Sequence, residues 1–141
     1  MIAIASDHGG YDLKMALIAH MERRLLPFVD LGCHDKNSCD YPDFAEMAAA
    51  AIRKCDCEKA IVICTTGIGI SIAANRIPGI RCALCTDTHM AKMSRAHNDA
   101  NILALGGAII SPEQAIAIVD TFLETNFSRE EKHRRRIGKL G

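Results

Sequence analysis

The chain has no net charge: 17 lysines and arginines balance 17 aspartates and glutamates across 141 residues. No bulk electrostatic attraction therefore favours nucleic acid or an anionic membrane surface. No apolar run approaches the roughly 18 residues that a membrane span requires. Met1 to Ser6 reads as a strand with neither a basic flank nor an apolar signal core, so a cytoplasmic protein is expected. There is no internal repeat and no low-complexity tract. The seven cysteines are odd in number and fall mostly in apolar stretches, which argues for reduced thiols and against a disulfide framework. Cys55-Asp56-Cys57 and Cys82-Ala83-Leu84-Cys85 invite a metal reading. The second pair lies on a strand, however, where residues three apart point to opposite faces, and no metal or other cofactor is expected.

What the chain does have is enough apolar sequence for one core. It is 49% hydrophobic and 24% charged, ordinary for a globular protein, and its length fits one domain over residues 1–141. The organising stretch is Ala60-Ile61-Val62-Ile63-Cys64-Thr65-Thr66-Gly67-Ile68-Gly69-Ile70-Ser71-Ile72-Ala73-Ala74-Asn75. It reads as a buried parallel strand, a tight Thr/Gly loop and a helix N-terminus. The loop has no Gly-Lys-Ser/Thr, which excludes a Walker loop. It has no arginine where a cysteine phosphatase needs one (Ile70 stands there) and no third glycine near Ile72 for a dinucleotide fingerprint. The unpaired N–H groups opening the helix and its dipole make a place for negative charge, and Cys64 stands in that field, where a thiolate is favoured as base or nucleophile. The alternative is that Cys64 is a small buried hydrophobe and the glycines serve only the turn.

Five strand-then-helix repeats follow in order. Met1 to Ser6 leads through Asp7-His8-Gly9-Gly10 into an amphipathic helix from Tyr11 to Arg24, placing Asp7 and His8 at the carboxyl end of a strand, where open α/β sheets bind ligands. Asp7 could equally cap the helix, and His8 could bond a nearby backbone group. A strand from Phe28 to Leu31 precedes a polar loop from Gly32 to Pro42, in which Tyr41 could line a pocket or pack on Pro42, and Asp43 caps a helix over Phe44 to Lys54. Pro78-Gly79 turns into a strand from Arg81 to Thr86, and a helix over Thr88 to Ala96 ends at His97-Asn98-Asp99. His97 is exposed, lines a pocket or caps the helix by charge. Ile102 to Leu105 is the fifth strand. Ser111-Pro112 opens a helix to about Leu123, and a polar break at Asn126-Phe127-Ser128 precedes a last helix carrying Lys132-His133-Arg134-Arg135-Arg136. This pattern predicts an α/β fold with a five-stranded parallel sheet between helix layers, right-handed crossovers and a C-terminal basic helix.

Five motifs together resemble one family: Ser6-Asp7-His8-Gly9-Gly10, Asp40-Tyr41-Pro42-Asp43, the stretch from Cys64 to Asn75, Arg95-Ala96-His97-Asn98-Asp99-Ala100-Asn101, and His133-x-x-Arg136-Ile137. They are similar, over nearly the whole chain, to ribose-5-phosphate isomerase B and the galactose-6-phosphate isomerase subunits. The resemblance implies a Rossmann-like three-layer sandwich, a homodimer or dimer of dimers with shared active sites, no metal, and interconversion of an aldose phosphate with its ketose. That chemistry needs a base between C1 and C2, donors for enediolate oxygens, a ring-opening acid/base and a phosphate clamp. By resemblance Cys64 is the base, Thr66 relays a hydroxyl proton, and the backbone N–H groups of Gly67, Ile68, Gly69, Ile70 and Ser71 form the anion hole. His97 opens the ring, Asp7 and Asn98 hold sugar hydroxyls, Tyr41 lines the pocket, and His8, Lys132 and Arg136 meet the phosphate.

Three departures stand out. Thr65 follows the cysteine where the family usually has glycine, Ala108 stands where many members have arginine, and Lys132 replaces the arginine that begins the C-terminal motif. Lysine keeps the charge but loses the bidentate fork, and alanine loses both. The expected activity is ribose 5-phosphate to ribulose 5-phosphate isomerisation through an enediolate. An isomerase of a hexose 6-phosphate of allose or galactose type, or a catalytically weak phospho-ligand binding protein, are the alternatives.

Overall fold

The computed structural model describes residues 1–141. Its strands β1 (Ile2–Ser6), β2 (Phe28–Asp30), β3 (Lys59–Cys64), β4 (Cys82–Leu84) and β5 (Ile102–Gly106) alternate with helices α1 (Tyr11–Arg23), α2 (Tyr41–Arg53), α3 (Ile68–Asn75), α4 (Thr88–Ala96) and α5 (Pro112–Glu124). A last helix, α6 (Glu131–Gly138), ends the chain. The strands form one all-parallel sheet in the order β2-β1-β3-β5-β4. The α/β sandwich expected from the strand–helix alternation is the fold observed. No helix is long and apolar enough to cross a membrane.

Alternation along each strand builds two cores. Ile61, Ile63, Leu103 and Leu105 face α1, α4 and α5 through Leu13, Leu17, Met21, Ala91, Ile118 and Phe122. Ala60, Val62, Cys64, Ile102 and Ala104 face the other way, toward Ala45, Ala48 and Ala49 of α2 and Ile70 and Ala74 of α3. Small alanine side chains let α2 lie close to the sheet, bringing its first residue over the loop after β3. Cys82 on β4 and Cys85 just beyond its end pack on opposite faces.

Three boundaries differ from the sequence expectation. Helix α2 begins at Tyr41, not Phe44: Asp40 is its extended N-cap, Pro42 occupies the first turn, and the Asp43 N–H donates to the Asp40 carbonyl. Proline's fixed φ suits the first helical turn, so the Tyr-Pro-Asp run that reads as loop is already helix. Strand β2 stops at Asp30, whose carboxylate accepts the Gly32 N–H at 3.0 Å and turns the chain. Strand β4 spans only Cys82–Leu84, because Asp87 leaves the sheet early to cap α4 by accepting the Met90 N–H at 2.8 Å.

Strand order sets where a site can form. The chain leaves β1 toward β2 on one side and returns to pair β3 on the other, so the loops after β1 and β3 part at the carboxyl edge and leave a crevice, the usual ligand position in such sheets.

Candidate active site

Three loops converge at that crevice. The Asp7 N–H donates to the Ile63 carbonyl at 3.1 Å, the Gly107 N–H to the Cys64 carbonyl at 2.8 Å, and the Ala108 N–H to the Thr65 carbonyl at 2.9 Å. The loop after β3 is thus held from both neighbouring strands. Gly67 sits at φ +80°, a left-handed position that glycine adopts without the cost other residues incur, and a side chain there would strike Leu84 and the Leu105 backbone. Thr65 needs no such freedom, since it is absent from the residues with positive φ.

Cys64 ends β3, 5% exposed, with its Sγ accepting the Gly67 N–H at 3.2 Å. A negatively charged sulfur makes that contact more strongly than a neutral thiol. The anion hole implied by the resemblance is narrower in the structure than residues 67–71. The Gly67 N–H goes to sulfur, the Ile68 N–H to the Thr66 hydroxyl at 3.2 Å, and the Ser71 N–H to the Gly67 carbonyl at 3.2 Å. Gly69 and Ile70 keep N–H groups with no acceptor in the chain. Ser71's hydroxyl donates to the Ile68 carbonyl at 2.7 Å. The Tyr41 ring lies over Gly69, so close that a Cβ on Gly69 would come within 2.7 Å of it. Tyr41, Gly69, Ile72 and Arg76 line an adjoining cavity of about 370 Å³.

Asp7 is buried and its carboxylate accepts the Gly10 N–H at 3.1 Å, so it caps the short 3-10 turn His8–Gly10. His8 is exposed, and its Nδ1 accepts the Cys39 N–H at 3.3 Å. That bond assigns the ring proton of neutral His8 to Nε2, leaving an N–H donor on an exposed side chain. The Cys39 thiol, 3.9 Å from the same Nδ1, is pushed up chiefly by burial.

The other candidates lie elsewhere. His97 caps the end of α4 and Asn98 follows it, just before β5 begins. They therefore stand at the amino edge, a β5 length from Cys64, roughly 13 Å at about 3.3 Å per residue. There His97, Asn98, His133 and Arg136 line a small cavity of about 250 Å³. The Asn98 carbonyl accepts the Arg81 Nε–H at 2.9 Å. Lys132 lies on α6, its Nζ 3.7 Å from Glu130. Within one chain, then, Asp7, His8, Tyr41, Cys64, Thr66 and the α3 N-terminus come together, whereas His97, Asn98, Lys132 and Arg136 form a second group.

Two supporting features escape a sequence reading. Lys14 is fully buried, its Nζ donating to Asp30 at 2.6 Å and to the Cys33 carbonyl at 2.8 Å. It ties α1 to the loop that presents Cys39 to His8. Its signal is a lysine beside Leu13 and three to four residues before Leu17 and Ile18, on the apolar face of α1. The second is His133, whose ring stacks on His97.

Comparison with known proteins identifies the family and the fold. The family model described as Ribose/Galactose Isomerase matches residues 2–140. The ribose-5-phosphate isomerase B of Clostridium thermocellum superposes with a TM-score of 0.96 at 50% identity, covering 99% of this chain and 94% of that one. The Thermotoga maritima ribose 5-phosphate isomerase gives 0.96 at 45% identity, with 99% and 95% covered. The Escherichia coli ribose-5-phosphate isomerase B is 38% identical over 136 residues, 96% of this chain and 91% of its own length. With the motifs on their expected loops and the fold shared throughout, the chain belongs to the ribose/galactose isomerase family of sugar phosphate isomerases.

Proposed function

We propose that the protein interconverts ribose 5-phosphate and ribulose 5-phosphate through an enediolate, with Cys64 as the base. The observation that carries the reading is the Cys64 sulfur at a strand end, 3.2 Å from the Gly67 N–H and beside the free Gly69 and Ile70 N–H groups. A base and a fixed pair of donors then act on adjacent atoms. Cys64 takes the C2 proton of the open aldose and returns it to C1. The helix-end N–H groups carry the negative charge that develops on oxygen, and the Thr66 hydroxyl moves the proton between O1 and O2. Asp7 holds sugar hydroxyls, and the Nε2–H of His8 meets the phosphate. The substrates named for the relatives support ribose over other sugars. The family description also names galactose, so hexose 6-phosphates belong in the same assay.

Ring opening and the rest of the phosphate clamp fall to His97, Asn98, Lys132 and Arg136. Their place at the opposite edge from Cys64 is the observation that supports a second subunit. We propose a homodimer, or a dimer of dimers, in which each site draws these residues from the partner.

Cys64→Ala should lower turnover by about 10²- to 10⁴-fold while folding and ligand binding persist. The measurements are conversion of ribose 5-phosphate and wash-in of solvent deuterium at C1 of ribulose 5-phosphate. Near wild-type wash-in in the variant would remove Cys64 from the role. Every step is assigned to a side chain or backbone group, so dialysis against EDTA should leave the rate unchanged.

A further inference from the structure

His133 opens a motif in which Arg136 has a task in the proposed chemistry and the histidine has none. Its ring lies 4.2 Å from that of His97, centroid to centroid, with the planes 15° apart, and the residue is only 8% exposed. Two other histidines are oriented by hydrogen bonds: His20 Nε2 meets Asp120 at 2.9 Å, and His8 accepts from Cys39. His97 has the stack in that place. The platform itself is anchored, because the Ser128 N–H donates to the Ala96 carbonyl at 3.0 Å and the Arg95 Nε–H to the Thr125 carbonyl at 3.2 Å. The segment leading into α6 is thereby tied to the end of α4.

Resting on the ring-opening role proposed for His97, we propose that His133 is its positioning residue: a flat imidazole that fixes the plane of the His97 ring by stacking. Burial, and then the proximity of His97, holds the His133 proton affinity down; Lys132 and Arg136 act in the same direction and Glu130 against it. A neutral partner matters because His97 gains and loses a proton during ring opening. A second positive charge one ring-stack away would oppose the imidazolium. A neutral aromatic face accommodates it. Orientation matters because an angular or 1 Å error in an acid/base group can cost about 10²-fold.

The test compares His133→Leu, which fills volume without a flat ring, with His133→Phe, which keeps the stack and removes the titrating group. Ribose 5-phosphate is cyclic, whereas ribulose 5-phosphate cannot close a five-membered ring because its C5 oxygen is esterified. Conversion of the aldose therefore needs ring opening, and deuterium wash-in at C1 of the ketose does not. His133→Leu should lower kcat for the aldose by roughly 10- to 10²-fold, with KM and the wash-in rate nearly unchanged. His133→Phe should restore kcat to within a few-fold, and the acid limb of its kcat profile should be shallower, having lost one protonation step. A leucine variant equal to wild type, a phenylalanine variant as impaired as the leucine one, or wash-in lost in step with conversion would each overturn the proposal. If circular dichroism shows the leucine variant unfolded, the phenylalanine variant decides: active with the shallower limb supports the proposal, inactive or with an unchanged limb refutes it. Wild-type protein that converts no ribose 5-phosphate would instead refute the parent reading.

Discussion

Gly9 and Thr65 fit each other as a pair. Gly9 has no positive φ, so space, and not backbone freedom, explains it. A Cβ there would overlap the Thr65 hydroxyl and lie 3.1 Å from the Thr65 Cβ and backbone nitrogen. The threonine that departs from the family pattern beside Cys64 is thus accommodated by an absent methyl on the neighbouring loop. Gly9→Ala should cost about 1–3 kcal/mol as an overpacking change, and adding Thr65→Gly should recover part of that loss. Urea denaturation of the four proteins in the cycle checks it, and strictly additive effects would show that the two positions do not communicate. The phosphate clamp is tested at the same scale. Arg136 lines the His97 cavity, and loss of a charge-assisted contact is worth about 1.5–3 kcal/mol, roughly 10- to 150-fold in affinity. Arg136→Ala should therefore raise KM strongly with little change in kcat. Ala108 is exposed, and its N–H is bonded to Thr65 at the mouth of the Cys64 loop. Ala108→Arg should lower KM if the missing guanidinium leaves the clamp weak. An unchanged KM would mean that Arg134 or Arg135 already supplies the charge.

At the scale of elements, apolar periodicity carried most of the information. Runs such as Ile61-Val62-Ile63 and the Ser111-Pro112 helix start announce themselves, and Ser111 with Gln114 forms the reciprocal capping box. Boundaries failed where a single residue outside the period decides: the Asp30 and Asp87 carboxylates, and Pro42 in the first turn of α2. The loop glycines and Cys64 were legible because tight turns and helix ends have local signatures. The stack of His133 on His97 was not, since it joins residues 36 positions apart. Cys82 on β4 and Cys85 just after it show how burial turns into a measurable property. Burial pushes the Cys82 thiol up to about 12 and the Cys85 thiol up to about 11, against 9.0 for the unhindered group. The unfolded chain then releases these protons first, so their contribution is intact below pH 9 and is lost as pH rises toward about 11–12. Stability measured by denaturant at pH 8 and pH 10.5 should fall more steeply in wild type than in Cys82→Ala/Cys85→Ala. Equal slopes would assign the alkaline loss to other groups.

At the scale of the whole molecule, one chain carries its two groups of candidate residues at opposite edges of the sheet. Cys64 and Asp7 end strands at the carboxyl edge, while His97 and Asn98 precede β5 at the amino edge. No side-chain rotation bridges the length of a strand. A two-fold interface solves this twice over, since a surface bringing one chain's amino-edge group to its partner's crevice also does the reverse, making two equivalent sites per dimer. Exposed apolar side chains beside the crevice, Ile68 and Ile72 on α3 and Tyr41 on α2, give such a surface something to bury. The proposal has a quantitative consequence in mixed assemblies. Cys64→Ala and His97→Ala proteins, each inactive alone, are combined, unfolded and refolded together. With random pairing half the dimers are mixed, and each mixed dimer has one site with both defects and one with neither. About a quarter of wild-type activity should then return. Activity that stays at the level of the parents, with mixed dimers confirmed by mass, would place Cys64 and His97 in service of the same chain and overturn the shared site.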